Sequence, residues 1–356
     1  MGHYWVGILV SFLISLLITP WVKKKALKWK AVDIPDARKV HRTIMPRMGG
    51  LGIYLAFAAG ILIALPLNLE IIGLLVGMTL ILLVGIWDDL KGMNAYLKFA
   101  AQIGAALIVI PFGLEVLSFT NPLTNAWMEI SPWIGVPITV FWLVAVTNAV
   151  NLIDGLDGLA SGVALIAALT MAAVAYTQFA RGTLDFQMQD VVLPLLLAGA
   201  IAGFLPHNYH PAKIFLGDTG SLLLGFTLAS VSIMSTTKGA AATSVIMPLI
   251  ILALPLLDTL FAIVRRVNTR KPIFQPDKGH LHHCLLARGF SHLHAVWFIY
   301  AISLVMGILA VVLNLMVSRK IMIITLLITV LVILWGSYSL GIFGVKEEKK
   351  DQQKEA

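Results

Sequence analysis

Apolar runs of about 20 residues recur along the whole chain, and they limit the fold more than any other feature. Such a run crosses roughly 30 Å of hydrocarbon as one α-helix, and a helix satisfies its own backbone polar groups where water is absent. With 59% hydrophobic and 12% charged residues, the composition differs strongly from that of a soluble domain. The sequence therefore predicts an all-α, polytopic integral membrane protein with about 11 (10 or 11) transmembrane helices. The runs are 4–22, 48–67, 71–87, 96–114, 132–150, 159–180, 190–205, 219–236, 241–263, 294–316 and 321–340.

Lysine and arginine lie almost entirely on one side of these predicted helices. With the N-terminus placed outside, the outer segments hold only Arg181, Lys238, Arg319 and Lys320 of the 26 basic residues. Positive residues concentrate on the cytoplasmic side of membrane proteins. We therefore predict an outer N-terminus and a cytoplasmic C-terminus. In a soluble protein a net charge of +8 would suggest a nucleic-acid partner, but here the distribution of charge matters more than its sum, and no nucleic-acid partner is predicted.

The chain is predicted to form one transmembrane domain over residues 1–345, followed by a charged, disordered cytoplasmic tail over residues 346–356. The lysines of the first apolar run follow it, whereas a cleavable signal peptide carries its positive charge first. A single cysteine, Cys284, permits no disulfide within the chain.

The third apolar run ends on two adjacent acids, Asp88 and Asp89, and Lys91 and Lys98 follow. A helix C-terminus disfavours negative charge, and neighbouring carboxylates repel each other. One interpretation is a solvated helix end in which Asp88 pairs with Lys91. The other is that lysines and a divalent cation offset the charge, which the intramembrane position of Lys98 favours.

Asn151, Asp154 and Asp157 recur at intervals of three in the segment NLIDGLDG. Asp157 alone could cap the helix predicted to begin near Leu159. Capping explains one carboxylate but not two carboxylates and an amide, so this segment is a second candidate site.

The segment FLGDTGS places Asp218, Thr219 and Ser221 at the start of a predicted helix. Free backbone N–H groups at a helix N-terminus bind anions. An aspartate there can hold Mg²⁺ together with substrate phosphates. The segment therefore predicts a metal and phosphate site.

A basic inner loop holds His280, His282 and His283. Their spacing is poor for three ligands on one zinc ion. Contact with substrate phosphate and attraction to an anionic membrane surface are the interpretations that remain.

A second basic inner segment holds Lys39, His41, Arg42 and Arg47, ahead of the glycines in GGLG. The basic residues serve either phosphate binding or membrane topology. The glycines are predicted to allow close approach between helices.

By topology, these clusters share the cytoplasmic face. Carboxylates, cations and helix N-termini suit a metal-bound diphosphate, and phosphoryl transfer depends mainly on positioning and neutralisation of charge. A site at this boundary predicts one lipid substrate and one cytoplasmic phosphate compound. The sequence contains no GxxxxGK[ST], GxSxG or HExxH segment, which disfavours P-loop ATPases, serine hydrolases and zinc peptidases.

The segments PDARKVH, DDLK, NLIDGLDGLA, FLGDTGS and HLHH occur in this order. In this respect the chain resembles the polyprenyl-phosphate N-acetylhexosamine-1-phosphate transferase family, over about residues 33–293. The resemblance implies a bacterial plasma-membrane enzyme that transfers N-acetylglucosamine 1-phosphate from UDP-N-acetylglucosamine to undecaprenyl phosphate and releases UMP. The lipid product would begin a teichoic acid, an O-antigen or a similar polymer.

The resemblance also implies roles for the matching residues. Asp218 would be the principal ligand of Mg²⁺, with Mn²⁺ as the alternative ion. Asp88 and Asp89 would assist the metal or the lipid phosphate, and these three aspartates form the predicted catalytic and metal-binding set. The predicted substrate contacts are Lys91, Lys98, Asn151, Asp154, Asp157, His280, His282, His283, Lys39, His41 and Arg42.

Several alternatives stay open at this point. The H-x-H-H pattern favours the N-acetylglucosamine branch over the phospho-N-acetylmuramoyl-pentapeptide transferases, which carry three consecutive histidines. A transporter would also place charge in the membrane, although near its midplane. A CDP-alcohol phosphatidyltransferase needs an arginine that DGLDGLASG lacks. The oligomeric state is also open, with a homodimer as one alternative.

Two mechanistic questions follow from the sequence. Direct attack by the lipid phosphate is favoured over an aspartyl-phosphate intermediate, because a second phosphate pKa near 6 leaves the nucleophile ionised at pH 7. Asp258, near the inner end of its span, is predicted to have a packing and hydrogen-bonding role, with Arg265 as its candidate partner.

Overall fold

The computed structural model describes residues 2–34, 44–120, 127–182, 187–236, 243–270 and 279–316. Within these ranges the chain forms twelve α-helices and two small antiparallel hairpins. The helices are α1 (Gly2–Lys28), α2 (Gly49–Ala64), α3 (Leu69–Lys91), α4 (Ala95–Val109), α5 (Pro132–Ile153), α6 (Leu159–Ala180), α7 (Met188–Asn208), α8 (Gly217–Thr236), α9 (Thr243–Ile251), α10 (Ala253–Asn268), α11 (Leu281–Ala287) and α12 (His292–Leu315). The hairpins pair β1 (Val32–Asp33) with β2 (Met45–Pro46) and β3 (Ser118–Thr120) with β4 (Trp127–Glu129).

Eight helices in the described part of the chain are long and apolar enough to cross a membrane: α1, α3, α5, α6, α7, α8, α12, and α4 with the 3-10 turn at Ile110–Phe112. Large apolar side chains such as Leu17, Trp133 and Phe141 are exposed on their outer surfaces. Such surfaces suit lipid rather than water. The chain is therefore an all-α, polytopic membrane protein, as predicted.

Helix α8 lies at the centre of the bundle, packed by α2, α3, α5 and α6. Almost all of its described residues are buried, and it is the least hydrophobic of the eight spanning helices. Its Gly, Ser and Thr residues replace the large apolar side chains that a lipid-facing helix would carry. A helix enclosed by protein needs close packing rather than a large apolar surface.

Glycines set how closely the other helices approach the first turn of α8. A Cβ added at Gly50 of α2 would lie 2.2 Å from the Cα of Gly220. One added at Gly85 of α3 would lie 2.4 Å from the Cα of Thr219. The prediction that the glycines after Arg47 allow close helix approach is confirmed for Gly50.

The predicted span over 241–263 is not one continuous helix, because the chain forms two shorter helices, α9 and α10, that meet at Leu252. Pro255 has no backbone N–H to donate to Ile251, so a continuous helix would lose a hydrogen bond there. The predicted span over 321–340 and the tail over 346–356 lie outside the described residues.

Candidate active site

Asp89 closes the N-terminus of α8. One of its oxygens accepts from the backbone N–H of Asp218 at 3.0 Å, and the other accepts from the N–H and hydroxyl of Thr219, at 3.0 Å and 2.5 Å. Its side chain is buried. The positive end of α8 thus offsets the unfavourable position of this carboxylate at the end of α3. It also means that the N–H groups of Asp218 and Thr219 are not free for a substrate anion, contrary to the prediction.

Asp88 and Asp218 share the ammonium group of Lys98. The Nζ atom of Lys98 contacts one oxygen of Asp88 and lies 3.4 Å from an oxygen of Asp218. Asp88 also accepts from the backbone N–H of Met93 at 2.7 Å. The alternative interpretation, in which Asp88 pairs with Lys91, does not describe the site, since Asp88 contacts Lys98 and the ammonium of Lys91 lies over the Trp87 ring, 5.7 Å from its centroid.

Asn151 orients Asp218 from the end of α5. Its amide donates to an oxygen of Asp218 at 2.5 Å and reaches the hydroxyl of Ser221 at 2.8 Å. An amide that donates here leaves the second oxygen of Asp218 directed toward Lys98. Asn151 and Asp218, which belong to two separate sequence segments, are therefore in contact although they are 67 positions apart in the chain.

Asp154 adds a further carboxylate to this cluster. Desolvation by the surrounding protein, followed by the negative charges of Asp218 and Asp89, raises the pKa of Asp154 to about 8, and the Arg47 guanidinium only partly opposes this. Asp88 and Asp218 are the two carboxylates that Lys98 brings together here, and the charge of Asp218 also reaches Asp154. Such a set fits Mg²⁺, which binds one or two protein carboxylates and completes its octahedron with phosphates and water.

Asp157 does not cap α6, whose N-cap residue is Gly158. One of its oxygens instead contacts the Nδ1 atom of His210 at 2.8 Å and accepts from the N–H of Ala212 at 3.1 Å. These bonds tie the loop between α5 and α6 (residues 154–158, termed the acidic loop below) to the segment that leads into α8.

The histidine cluster lies against the acidic loop. The buried ring of His282 is so close to Gly155 that a Cβ added there would lie 2.2 Å from its Nε2 atom. Burial, and then the neighbouring His283, lowers the pKa of His282 to about 3, so this ring is neutral at physiological pH. The ring of His283 lies against that of His282, tilted by 43° with centroids 4.2 Å apart, and His280 is bonded to Asp258 at 2.8 Å.

The segment between β2 and α2 forms another wall of the site. The N–H of Phe215 donates to the carbonyl of Pro46 at 2.8 Å. The N–H of Gly49 donates to the carbonyl of Phe215 at 3.1 Å, and that of Gly50 donates to the carbonyl of Leu216 at 3.2 Å. Arg47 extends from this segment and binds Asp33 at 2.5 Å. The predicted contacts Lys39, His41 and Arg42 lie outside the described residues.

Two histidines near the site carry no motif and were not predicted. His210 and His292 form, with Asp157, the one trio in the described chain whose ligand atoms lie close enough to suggest a metal site, within 4.8 Å of one another. Their rings are stacked at 4.2 Å with an interplanar angle of 23°. Nearly parallel rings do not direct their lone pairs at one point, so the geometry supports a hydrogen-bonded pair with a stacked ring rather than a metal site. Asn208 was not predicted either. Its side chain accepts a hydrogen bond from the Ser161 hydroxyl and donates one to the carbonyl of Ile214.

Comparison with known proteins gives consistent results. The sequence profile of glycosyl transferase family 4 matches residues 71–236. The chain is 42% identical over 310 residues to a probable undecaprenyl-phosphate N-acetylglucosaminyl 1-phosphate transferase of Bacillus subtilis, covering 87% of this chain and 84% of that protein.

More distant relatives have related names. A decaprenyl-phosphate N-acetylglucosaminephosphotransferase of Mycolicibacterium smegmatis is 36% identical, with 82% of this chain and 77% of that protein covered. An undecaprenyl-phosphate alpha-N-acetylglucosaminyl 1-phosphate transferase of Escherichia coli is 30% identical, with 79% and 76% covered.

Proposed function

Because this chain belongs to glycosyl transferase family 4, we propose that it transfers N-acetylglucosamine 1-phosphate from UDP-N-acetylglucosamine to undecaprenyl phosphate. It is a multi-pass protein of the bacterial membrane. The observation that carries the proposal is the meeting of Asp88, Asp218, Lys98 and Asn151 at one end of the bundle. The proposed orientation places that end at the cytoplasmic face. The complete span count of 11 and the single domain over residues 1–345 belong to the same proposal.

In the proposed reaction an oxygen of the lipid phosphate attacks the β-phosphorus of the nucleotide sugar. The bond between that phosphorus and the bridging α–β oxygen breaks, and UMP leaves with this oxygen. Sugar and β-phosphate remain together on the lipid, so the products are undecaprenyl-diphospho-N-acetylglucosamine and UMP. The ionised lipid phosphate needs positioning more than deprotonation, which favours direct attack.

Mg²⁺ bound by Asp218 and Asp88 would neutralise the negative charge of the diphosphate. Both oxygens of Asp89 are already bonded to the first turn of α8, which favours Asp88 over Asp89 as the second ligand. The protein holds Asp218 through Asn151, and it directs Lys98 at the same two carboxylates. Lys98 is thereby placed to meet a phosphate that binds between them.

The acidic loop and the histidine cluster belong to the nucleotide-sugar side in this proposal. His282 is neutral and buried against Gly155, and Asp157 is fixed by His210. The relatives are named for N-acetylglucosamine, which favours this sugar over the muramoyl-pentapeptide alternative. The lipid-linked product would begin a cell-envelope polysaccharide.

The test is a transfer assay in membranes that contain the full chain. Sugar-labelled UDP-N-acetylglucosamine, undecaprenyl phosphate and Mg²⁺ are incubated, and both the lipid extract and the released nucleotide are identified. Labelled lipid with UMP is the expected result. Released UDP would indicate transfer of the sugar alone, and an absence of turnover with any UDP-amino sugar would refute the enzyme assignment.

Asp218→Asn should abolish this Mg²⁺-dependent turnover. Asp190→Asn is a control, because Asp190 is likewise an aspartate in the first turn of a helix but lies at the start of α7. That position is about 27 Å along the helix from its site-facing end. Near-normal turnover in Asp218→Asn would remove Asp218 as the principal metal ligand.

A further inference from the structure

Asp258 lies on α10, away from the cluster of catalytic carboxylates, and both of its oxygens are occupied. One oxygen contacts the Nδ1 atom of His280 at 2.8 Å, and the other accepts from the backbone N–H of Leu281 at 2.8 Å. Asp258 and His280 are 6% and 5% exposed, so this pair is shielded from water. The bond to Leu281 satisfies the N-terminus of α11. The bond to His280 is not needed for that, and it requires a separate explanation.

The bond to His280 fixes both a tautomer and a ring plane. A carboxylate at Nδ1 keeps the proton on that nitrogen and holds the imidazole in one orientation. The ring of His282 lies parallel to that of His280, with an interplanar angle of 6° and centroids 6.0 Å apart. Asp258 therefore sets the start of α11 and the orientation of the His280 ring, beside which the parallel ring of His282 lies.

This arrangement ends at the acidic loop. The ring of His282 packs directly on the backbone of Gly155, the residue after Asp154. Only a residue without a Cβ fits beneath the ring, so the loop and the ring fix each other's position. Elsewhere the loop is held by His210 through Asp157 and by the hydroxyl of Tyr300, which donates to the carbonyl of Gly158 at 2.5 Å.

We propose that Asp258 is a positioning residue that holds the acidic loop in place through His280 and His282, and thereby sets affinity for the nucleotide sugar. This inference rests on the proposed function. We therefore expect a change at Asp258 to alter the KM for the nucleotide sugar more than the KM for the lipid phosphate. The bonds of Asp258 lead to the acidic loop, whereas Asp88 and Lys98 are held by α3 and α4.

Asp258→Asn separates the two bonds. The amide oxygen can still accept from Leu281 N–H, whereas the NH₂ group cannot accept the proton of His280 Nδ1. We expect the KM for UDP-N-acetylglucosamine to rise about 10-fold or more, with the KM for undecaprenyl phosphate changed less than about twofold. Asp190→Asn, the matched buried capping aspartate, should change neither KM.

A double-mutant cycle tests whether Asp258 acts through His280. If it does, Asp258→Asn combined with His280→Asn should raise the KM for the nucleotide sugar no further than the larger single effect. Multiplied effects would show that Asp258 acts by another route, and equal changes in both KM values would show a general loss of structure. Either result would overturn the inference. His280→Asn leaves Asp258 and its bond to Leu281 intact, so it supplies the same test if Asp258→Asn does not fold.

A spectroscopic measurement separates this inference from the proposed function. In ¹⁵N-histidine-labelled protein, the signal lost in His280→Asn identifies His280. Its Nδ1–H tautomer should be present in the wild type and absent in Asp258→Asn. An inactive wild type with this tautomer change would refute the proposed function while leaving the Asp258–His280 bond supported. An active wild type with unchanged KM values in Asp258→Asn would refute the positioning role alone.

Discussion

Two adjacent aspartates with different environments illustrate how this site is built at the scale of single residues. Asp89 is bonded to the first turn of α8, whereas Asp88 shares Lys98 with Asp218. Neighbouring positions on a helix point about 100° apart, so one carboxylate faces the bundle and the other faces the site. The two residues should therefore respond differently to the same substitution.

Asp88→Asn should raise the Mg²⁺ concentration for half-maximal activity by about tenfold or more, because it removes a proposed ligand. Asp89→Asn should instead lower the free energy of unfolding by about 1.5–3 kcal/mol, the usual contribution of hydrogen bonds to a charged group. Mg²⁺ titration of the transfer assay and unfolding in detergent measure the two effects. An equal shift in Mg²⁺ dependence for both variants would contradict this division of roles.

The neutral ring of His282 predicts a loss of stability in acid. Its pKa is about 3 in the folded protein and near 6.5 when exposed, so below pH 6.5 the unfolded state binds the proton more strongly. Folding stability should therefore fall as pH decreases from 6.5 toward 3, by about 1 kcal/mol between pH 7.5 and pH 5.5. His282→Gln should reduce this slope. His294→Gln, at an exposed position, should leave it unchanged.

At the scale of helices, glycine contacts position the first turn of α8 against α2 and α3. Gly50→Ala would place a methyl group 2.2 Å from the backbone of Gly220, where no flexible side chain can move aside. We expect it to destabilise the protein by about 1–3 kcal/mol and to reduce activity. Gly104→Ala in α4 is the control, since no atom lies within 4 Å of the added Cβ. The unfolding temperatures of the two variants in detergent test this contrast.

Sequence patterns predicted the helices well because hydropathy reports directly on lipid exposure. The pattern over 241–263 was misleading, since apolar composition persists across the break at Leu252, although Pro248 and Pro255 were visible signals. Motif spacing identified the polar clusters, but it could not show that Asp89 caps a helix beginning 128 residues later. That partnership depends on how α3 packs on α8. His210 and His292 carry no local signal, because only tertiary packing brings them beside Asp157.

At the scale of the whole molecule, the charge asymmetry predicts how the bundle lies in the membrane. In a Cys284→Ser background, a cysteine placed at Leu67 should react with an impermeant maleimide in intact cells. A cysteine at Thr269 should react only after the cells are permeabilised, because it lies at the end of α10 on the proposed cytoplasmic side. Both replaced residues are exposed. The opposite labelling pattern would invert the orientation and move the site to the outer face.

The carboxylate of Asp89 also restricts how the bundle can move. It accepts three bonds from the first turn of α8, so α3 cannot slide along α8 without breaking all three together. Asp88 and Asp218 consequently stand on one rigid support before either substrate arrives, and a site fixed in advance needs little reorganisation when charge shifts between phosphates.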